Sequence, residues 1–344
     1  MRVVVDVSAL SHPRTGVGNY IRGSLLGLAA AGGHELVAFA PASRDGRRRI
    51  EAALEGIDVE RVLPTLPAAH AVRTAWSRLG RPPVERFVGA LDVFHFGDWM
   101  YPPQRGGLRS TMVHDLVPLH HPEWVHPRTK RMHGAKYRHA AQTCDVVVVN
   151  SSYTAGDVAS TLGVPRERIH VAHPGVDAVF AAEGPRAEGD YVLAVGTLEP
   201  RKNLGSAVAA VRGRELRVVG ARGWGGVEAR GDHVTWLGPL DDEELARQYR
   251  GAAAFVYPSR FEGFGMPVVE AMACGTPVVA SSHPSLDDAS GDAALRADPD
   301  DADAIAAALD EAVARRDELV RRGLEHARRF TWEANARAHL EAWS

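Results

Sequence analysis

Two doubly wound α/β domains are what this 344-residue sequence predicts, and three observations carry that expectation. Short, near-continuous apolar runs alternate with helical patterns, as parallel strands buried on both faces require. The alternation stops once, at residues 178–190, in a stretch rich in Ala, Gly, Pro and acidic residues, and then restarts. The length also suits two domains of ordinary size. Composition agrees, since 45% apolar and 24% charged residues are typical of a soluble globular chain. The apolar runs, such as 146–149, fall far short of the ~20 residues of a membrane-spanning helix. The opening MRVVVDVSALSHPRTG reads as a first strand and its loop, not as a secretory signal.

In chain order, the first strand is expected over residues 2–10, rich in valine and closed by a Ser/His/Pro/Arg/Thr/Gly loop. A helix follows over about 17–31. Further strands are expected at 35–40, 59–63, 92–96, 110–114, 146–150 and 169–172. The first domain is thus assigned to 1–178 and a linker to 179–190. The second domain, 191–328, opens on the strand YVLAV at 191–195, with others at 216–219, 234–237, 254–258 and 277–280. Helices are expected near 203–213, 241–251, 265–274 and 301–322, with Asp241 a credible N-cap. A last helix, in 329–344, is expected to pack back towards the first domain. Ligands of such sheets sit at the carboxyl ends of the strands.

Charge is uneven. Residues 1–180 carry 21 Lys and Arg against 16 Asp and Glu, the remainder 19 against 27, and 12 of the 16 histidines lie in the first part. Solvated helix faces explain this as well as an anionic partner does. The net charge of −3 disfavours nucleic acid as the main partner. Two cysteines without a spaced motif, Cys144 and Cys274, suit a cytoplasmic protein.

Three segments carry chemistry. Thr15-Gly16-Val17-Gly18-Asn19 opens the first helix, where glycines admit close approach to an anion. A tight turn needing positive φ explains them equally well. The next glycine, Gly23, comes too late for a dinucleotide fingerprint, and no P-loop pattern occurs. Gly196-Thr197-Leu198-Glu199-Pro200-Arg201-Lys202-Asn203 sets two cations beside a helix N-terminus, which is already positive, so an anion is the natural compensation. Glu262 and Glu270 stand eight residues apart in EGFGMPVVEAMACG, the first in a Gly-rich loop and the second in a helix. A carboxylate accepts two hydrogen bonds, as vicinal sugar hydroxyls require.

These segments resemble the retaining family 4 glycosyltransferases with the GT-B fold. The similarity rests on EGFGMPVVEAMACGTPVV and GTLEPRKNL, with VHDLVPLHHPEW at 113–124, VVVNSSYTAGDV at 147–158, HPGVD at 173–177 and TGVGNY at 15–20 in the same order. The resemblance implies two Rossmann-like domains facing a central cleft, the first binding an acceptor and the second a nucleotide diphosphate sugar. It implies that Arg201 and Lys202 bind the diphosphate and that Glu262 bonds the transferred sugar. Glu270 would bind the ribose and His114 the donor sugar. Gly16, Gly18, Gly196 and the backbone of Gly263, Phe264, Gly265 and Met266 would complete the donor site. It implies transfer of a hexose, with mannose favoured and GDP- or UDP-linked donors open, to a glycan or lipid-linked acceptor. No metal and no further cofactor are implied, the nucleotide sugar being the co-substrate. Another GT-B enzyme, such as a sugar-nucleotide epimerase or an inverting transferase, and a non-catalytic nucleotide-sugar binder remain as alternatives.

Other clusters carry blander readings. His114, His120, His121 and His126 lack the spacing of a metal site. Asp301-Ala302-Asp303 suits helix capping. Arg73, Arg78, Arg81 and Arg86 lie among Trp76, Leu79, Phe87 and Val88. They could dock at the anionic inner face of the plasma membrane, or belong to a mobile helix over the acceptor, although Pro82-Pro83 argues against one continuous helix. No site role is assigned to Asp287-Asp288.

Overall fold

The computed structural model describes residues 1–13, 15–125, 127–223 and 231–344. The chain divides into two units, Met1–Gly175 with Trp332–Ser344, and Val176–Thr331.

In the first unit, seven strands among the described residues form one sheet. They are β1 Arg2–Asp6, β2 Glu35–Phe39, β3 Glu60–Val62, β4 Val93–Phe96, β5 Leu108–Val113, β6 Val146–Val149 and β7 Ile169–Val171. Their order is β3-β2-β1-β4-β5-β6-β7, and every neighbouring pair is parallel. Val3, Val4, Phe94 and Val147 are fully inaccessible, so the valine-rich runs are strands covered on both faces. The order reverses between β1 and β4, which opens a crevice at their carboxyl ends. β1 is shorter than the run 2–10 suggests. Asp6 accepts hydrogen bonds from Ser8 N (3.1 Å) and Ser8 Oγ (2.9 Å) and turns the chain into a 3-10 helix, Ser8–Ser11.

The C-terminal helix Trp332–Ala342 belongs to this unit and lies along the helix Gly16–Ala31. Glycine makes that approach possible. A Cβ on Gly23 would stand 2.1 Å from Trp332 Cε2, and one on Gly27 would stand 2.1 Å from the Trp332 carbonyl. Asn335 Nδ2 donates to His173 O (2.7 Å), and Trp343 Nε1 donates to Ser110 Oγ (2.9 Å). Gly27→Ala would gain helix propensity in isolation. Here it is expected to destabilise by about 1–3 kcal/mol, because backbone cannot yield as a flexible side chain does. A denaturant titration checks this; a variant as stable as the parent would refute the close packing.

The second unit repeats the plan with β8 Tyr191–Val195, β9 Glu215–Val219, β10 Val234–Gly238, β11 Ala254–Tyr257, β12 Val278–Ser281 and β13 Leu295–Ala297. Their order is β10-β9-β8-β11-β12-β13, again parallel throughout. β13 is an edge strand of three residues that the apolar pattern does not announce. The expected helix over 301–322 is two helices, Ala302–Ala314 and Arg316–Ala327. Residues 179–190, assigned as the linker, are packed into this unit. Phe180 and Ala187 are core residues, and the Arg250 guanidinium donates to Pro185 O (2.7 Å) and Ala181 O (3.1 Å). Composition conveyed the irregular backbone of this stretch but not the arginine that satisfies its carbonyls.

The arginine quartet is not one surface. Its stretch folds as two helices, Ala69–Leu79 and Glu85–Val88. Arg78, Arg81 and Arg86 are exposed, with Leu79 and Phe87 beside them, whereas Arg73 is 2% exposed. Among the described residues no helix is long and apolar enough to cross a membrane.

Candidate functional site

In the second unit the loops after β8 and β11 meet through backbone. Arg260 N donates to Arg201 O (2.9 Å), and Ser259 Oγ donates to the same carbonyl (3.1 Å). Gly196 follows β8, and a Cβ there would stand 3.2 Å from Lys202 Cγ, so the lysine stem crosses the glycine. Asn203 closes the 3-10 turn Pro200–Lys202 at φ 52°, a left-handed conformation that Asn tolerates better than most residues.

These loops bring together Arg201, Lys202 and Glu262, three residues singled out in the sequence. Arg201 Nη1 donates to Glu262 Oε2 (2.6 Å), and Lys202 Nζ donates to Glu262 Oε1 (2.7 Å) and Tyr257 Oη (2.7 Å). Tyr257 Oη (2.9 Å) and Ser259 Oγ (2.6 Å) also donate to Glu262 Oε1. Arg201 Nη2 donates to Glu199 Oε1 (2.8 Å). By sequence alone the two cations call for an external anion. Two glutamates of the chain already compensate them, Glu199 from the same loop and Glu262 from 60 residues on. Burial alone would raise the Glu262 pKa, but Arg201, Lys202 and the hydrogen bonds outweigh it and hold the carboxyl down at about 2. Burial lowers the Lys202 pKa against the opposing pull of Glu262.

The segment after Glu262 divides its work. Gly265 (φ 99°) is the entry to the helix Met266–Ala273, where a Cβ would stand 2.5 Å from Leu286 Cδ2. Gly263 is buried, and Phe264 turns its ring into the core against Phe330, with centroids 5.2 Å apart. Any ligand role of Phe264 therefore belongs to its backbone. Glu270 lies on that helix, nearly buried, and accepts from Tyr249 Oη (3.2 Å). Sequence reasoning missed Glu199 as counter-ion, together with Tyr257, Ser259 and Ser285. Ser285 Oγ accepts from Glu262 N (3.0 Å). Glu199 lies in the same loop as Arg201 and Lys202; Tyr257 ends β11 and Ser259 follows it, in the loop that leads to Glu262.

In the first unit, Gly16 and Gly18 lie in the first turn of their helix, not in a turn of positive φ. Thr15 Oγ1 caps Gly18 N (3.2 Å), and a Cβ on Gly16 would meet nothing within 4 Å. His114 follows β5 and packs edge-on against Tyr20, with ring centroids 5.2 Å apart. Its Nε2 is buried with no hydrogen-bond partner among the described residues. Burial, then Lys136 and His133, push its pKa down to about 3, so the ring is neutral at pH 7. Nearby, His120 bonds Asp157 (2.7 Å) and His121 bonds Glu123 (3.2 Å); His126 lies outside the described residues. Among the described residues no three His, Cys, Asp or Glu are grouped to hold a metal ion. Asp301 caps its helix through Asp303 N and Ala304 N, as the capping reading expects.

Comparison with known proteins adds to this geometry. The family described as "Glycosyl transferases group 1" matches residues 176–331, and "Glycosyltransferase Family 4" matches residues 14–180. The O-antigen chain mannosyltransferase B of Escherichia coli is 32% identical over 273 residues, 70% of this chain and 71% of that protein. A D-inositol 3-phosphate glycosyltransferase of Mycolicibacterium smegmatis is 32% identical over 231 residues, 58% of this chain and 52% of that one. This chain thus matches about half the length of that relative. Among solved structures, sucrose-phosphate synthase from Thermosynechococcus elongatus has a TM-score of 0.71 at 20% identity, covering 99% of this chain and 98% of that chain. WaaG, a glycosyltransferase involved in lipopolysaccharide biosynthesis, has a TM-score of 0.68 at 13% identity over 99% and 98%. At such identities these two show the fold alone, that of the GT-B enzymes.

Proposed function

We propose, for a chain that belongs to the group 1 and family 4 glycosyltransferases, that it moves a hexose, mannose favoured, from a nucleotide diphosphate sugar to an acceptor hydroxyl with retention of configuration and without a metal. The observation that carries this reading is the Arg201–Lys202–Glu262 cluster. Mannose is favoured by the E. coli relative. The second unit takes the donor and the first the acceptor, in glycan, glycolipid or exopolysaccharide synthesis.

As the glycosidic bond breaks, negative charge gathers on the leaving diphosphate. The Arg201 fork and the Lys202 ammonium stabilise it, aided by the amides entering the helix Met266–Ala273. Glu262, ionised at every physiological pH, is an acceptor for sugar hydroxyls and not a proton donor. His114 is neutral and offers the donor sugar a hydrogen bond at Nε2. Glu270 accepts from the ribose hydroxyls. The experiment is a panel of GDP-, UDP-, ADP- and dTDP-linked sugars scored by nucleotide release, with the product anomer read by NMR. A GDP-mannose signal with retained configuration supports the reading. Inversion, or binding without turnover, overturns it.

Gly16 gives a sharper check on the donor set. With open space at its Cβ position, Gly16→Ala is expected to hold or raise thermal stability, by up to about 1 kcal/mol, while lowering transfer. Unchanged transfer would remove Gly16 from the ligand site.

A further inference from the structure

At the carboxyl ends of β1 and β2 the first unit has a cavity of about 560 Å³. Its lining includes Ser11, Ser43, Asp45, Arg49, His70 and Arg73. Arg73 is the unusual member. It is 2% exposed, yet its Nε and Nη1 are buried without a hydrogen-bond partner among the described residues. Its guanidinium carbon lies 5.6 Å from the Trp99 ring centroid, so one face is covered by an aromatic. A buried guanidinium with orphaned N–H groups is costly unless an acceptor reaches it. The nearby buried carboxylate, Asp6, is occupied by Ser8, and Asp45 pairs with the exposed Arg48. Two helices begin at the same cavity, Arg44–Ala53, capped by Ser43, and Ala69–Leu79, whose N-cap Ala68 has φ 49° and supplies no side-chain cap. Their amide ends add positive potential to that of Arg49 and Arg73.

We infer that this cavity binds a phosphate group carried by the acceptor, with Arg73 as its cation. A guanidinium with unmet N–H donors matches the several acceptor oxygens and negative charge of a phosphate better than it matches any neutral group. The word "acceptor" rests on the transferase reading above; the cavity's affinity for phosphate does not. The exposed Arg78, Arg81 and Arg86 are not part of this site.

The test is isothermal titration of the full chain with inorganic phosphate, glycerol 3-phosphate, glycerol and acetate. Both phosphates are expected to bind, glycerol 3-phosphate the tighter, with glycerol and acetate silent. Arg73→Met should weaken binding about tenfold or more, and Arg73→Lys should restore part of it. Lys202→Ala should leave this binding as it was, which separates the cavity from the diphosphate site of the second unit. Equal binding by Arg73→Met, equal binding of acetate, or loss of binding in Lys202→Ala would overturn the inference. Binding of inorganic phosphate alone would overturn its acceptor half. If Arg73→Met does not fold, the exposed double variant Arg49→Ala/His70→Ala takes its place, with weaker binding expected and unchanged binding refuting. None of these outcomes depends on transfer, so a failed transferase reading and a failed phosphate site are distinguishable.

Discussion

Lys202→Ala is expected to slow sugar transfer about 10²–10³-fold, the usual effect of removing one preorganised group from a developing charge. The loss should fall on kcat more than on KM, because the leaving diphosphate carries more charge in the transition state than in the bound donor. The pairing with Glu262 adds a prediction of opposite sign. Arg201 and Lys202 are balanced by Glu199 and Glu262, so an incoming diphosphate must compete with carboxylates for the same N–H groups. Glu262→Gln removes one competitor. It should therefore tighten the binding of a bare nucleoside diphosphate several-fold while transfer falls, since the amide recognises sugar hydroxyls less well than the carboxylate does. Calorimetry with GDP and UDP, beside nucleotide-release kinetics, reads both halves. Transfer by Lys202→Ala at the parent rate would end the leaving-group role, and weaker diphosphate binding by Glu262→Gln would end the competition argument. The glutamine variant should also be less stable, because it leaves buried cations short of a partner. Its activity is thus best measured well below its melting temperature.

The two sheets were legible because short valine-rich runs suit strands covered on both faces, and because their spacing leaves room for helical crossovers. β13 was not, since Leu295-Arg296-Ala297 holds its place by pairing with β12 and not by any pattern of its own. The helix Arg44–Ala53 was equally silent; RDGRRRIEAA buries little beyond Gly46 and Ile50. Within the candidate site, the cations and Glu262 were legible as residue types in glycine-rich loops at strand ends. Their mutual pairing was not, because it depends on two loops 60 residues apart meeting through the Arg201 carbonyl. Arg73 shows the reverse error. Beside Arg78, Arg81 and Arg86 it reads as one of four surface charges, but the helix Ala69–Leu79 turns it inward on Trp99 while Arg78 of the same helix, and Arg81 and Arg86 beyond it, face water. Local sequence conveys which groups are present; which of them lose water is decided by the tertiary fold.

Acidification from pH 7 to pH 5 is expected to loosen the C-terminal helix Trp332–Ala342 from the first unit. His339 lies within it and His95 beneath it, both nearly inaccessible, with ring centroids 5.2 Å apart. Burial holds both neutral, His339 down at about 4 and His95 well below its ordinary value, the latter lowered further by His339, Lys136 and His114. His114 and His133 are depressed in the same way, to about 3 and about 4. For each of these groups the unfolded chain binds the extra proton first. Their contribution to stability is therefore complete above pH 6.5 and is lost as the pH falls towards the folded values. His339 alone is worth about 2 kcal/mol over that interval, and His95 adds in the same direction. Asp6 acts in the opposite sense. Burial and Asp98 raise it to about 6, so its protonation favours the folded state as the pH drops, and offsets part of the loss. Lys136, lowered to about 8, changes nothing in this window because it is protonated in both states. Charging two imidazoles at this separation repels the helix from the sheet it covers, and with it Trp332 and Trp343. Denaturant midpoints by circular dichroism at pH 7, 6 and 5, with tryptophan fluorescence alongside, should show a steep loss of stability and a solvent-shifted emission. His339→Gln, which cannot be charged, should move the transition to lower pH. Midpoints that stay level from pH 7 to pH 5 would mean that these histidines find water or a partner on protonation.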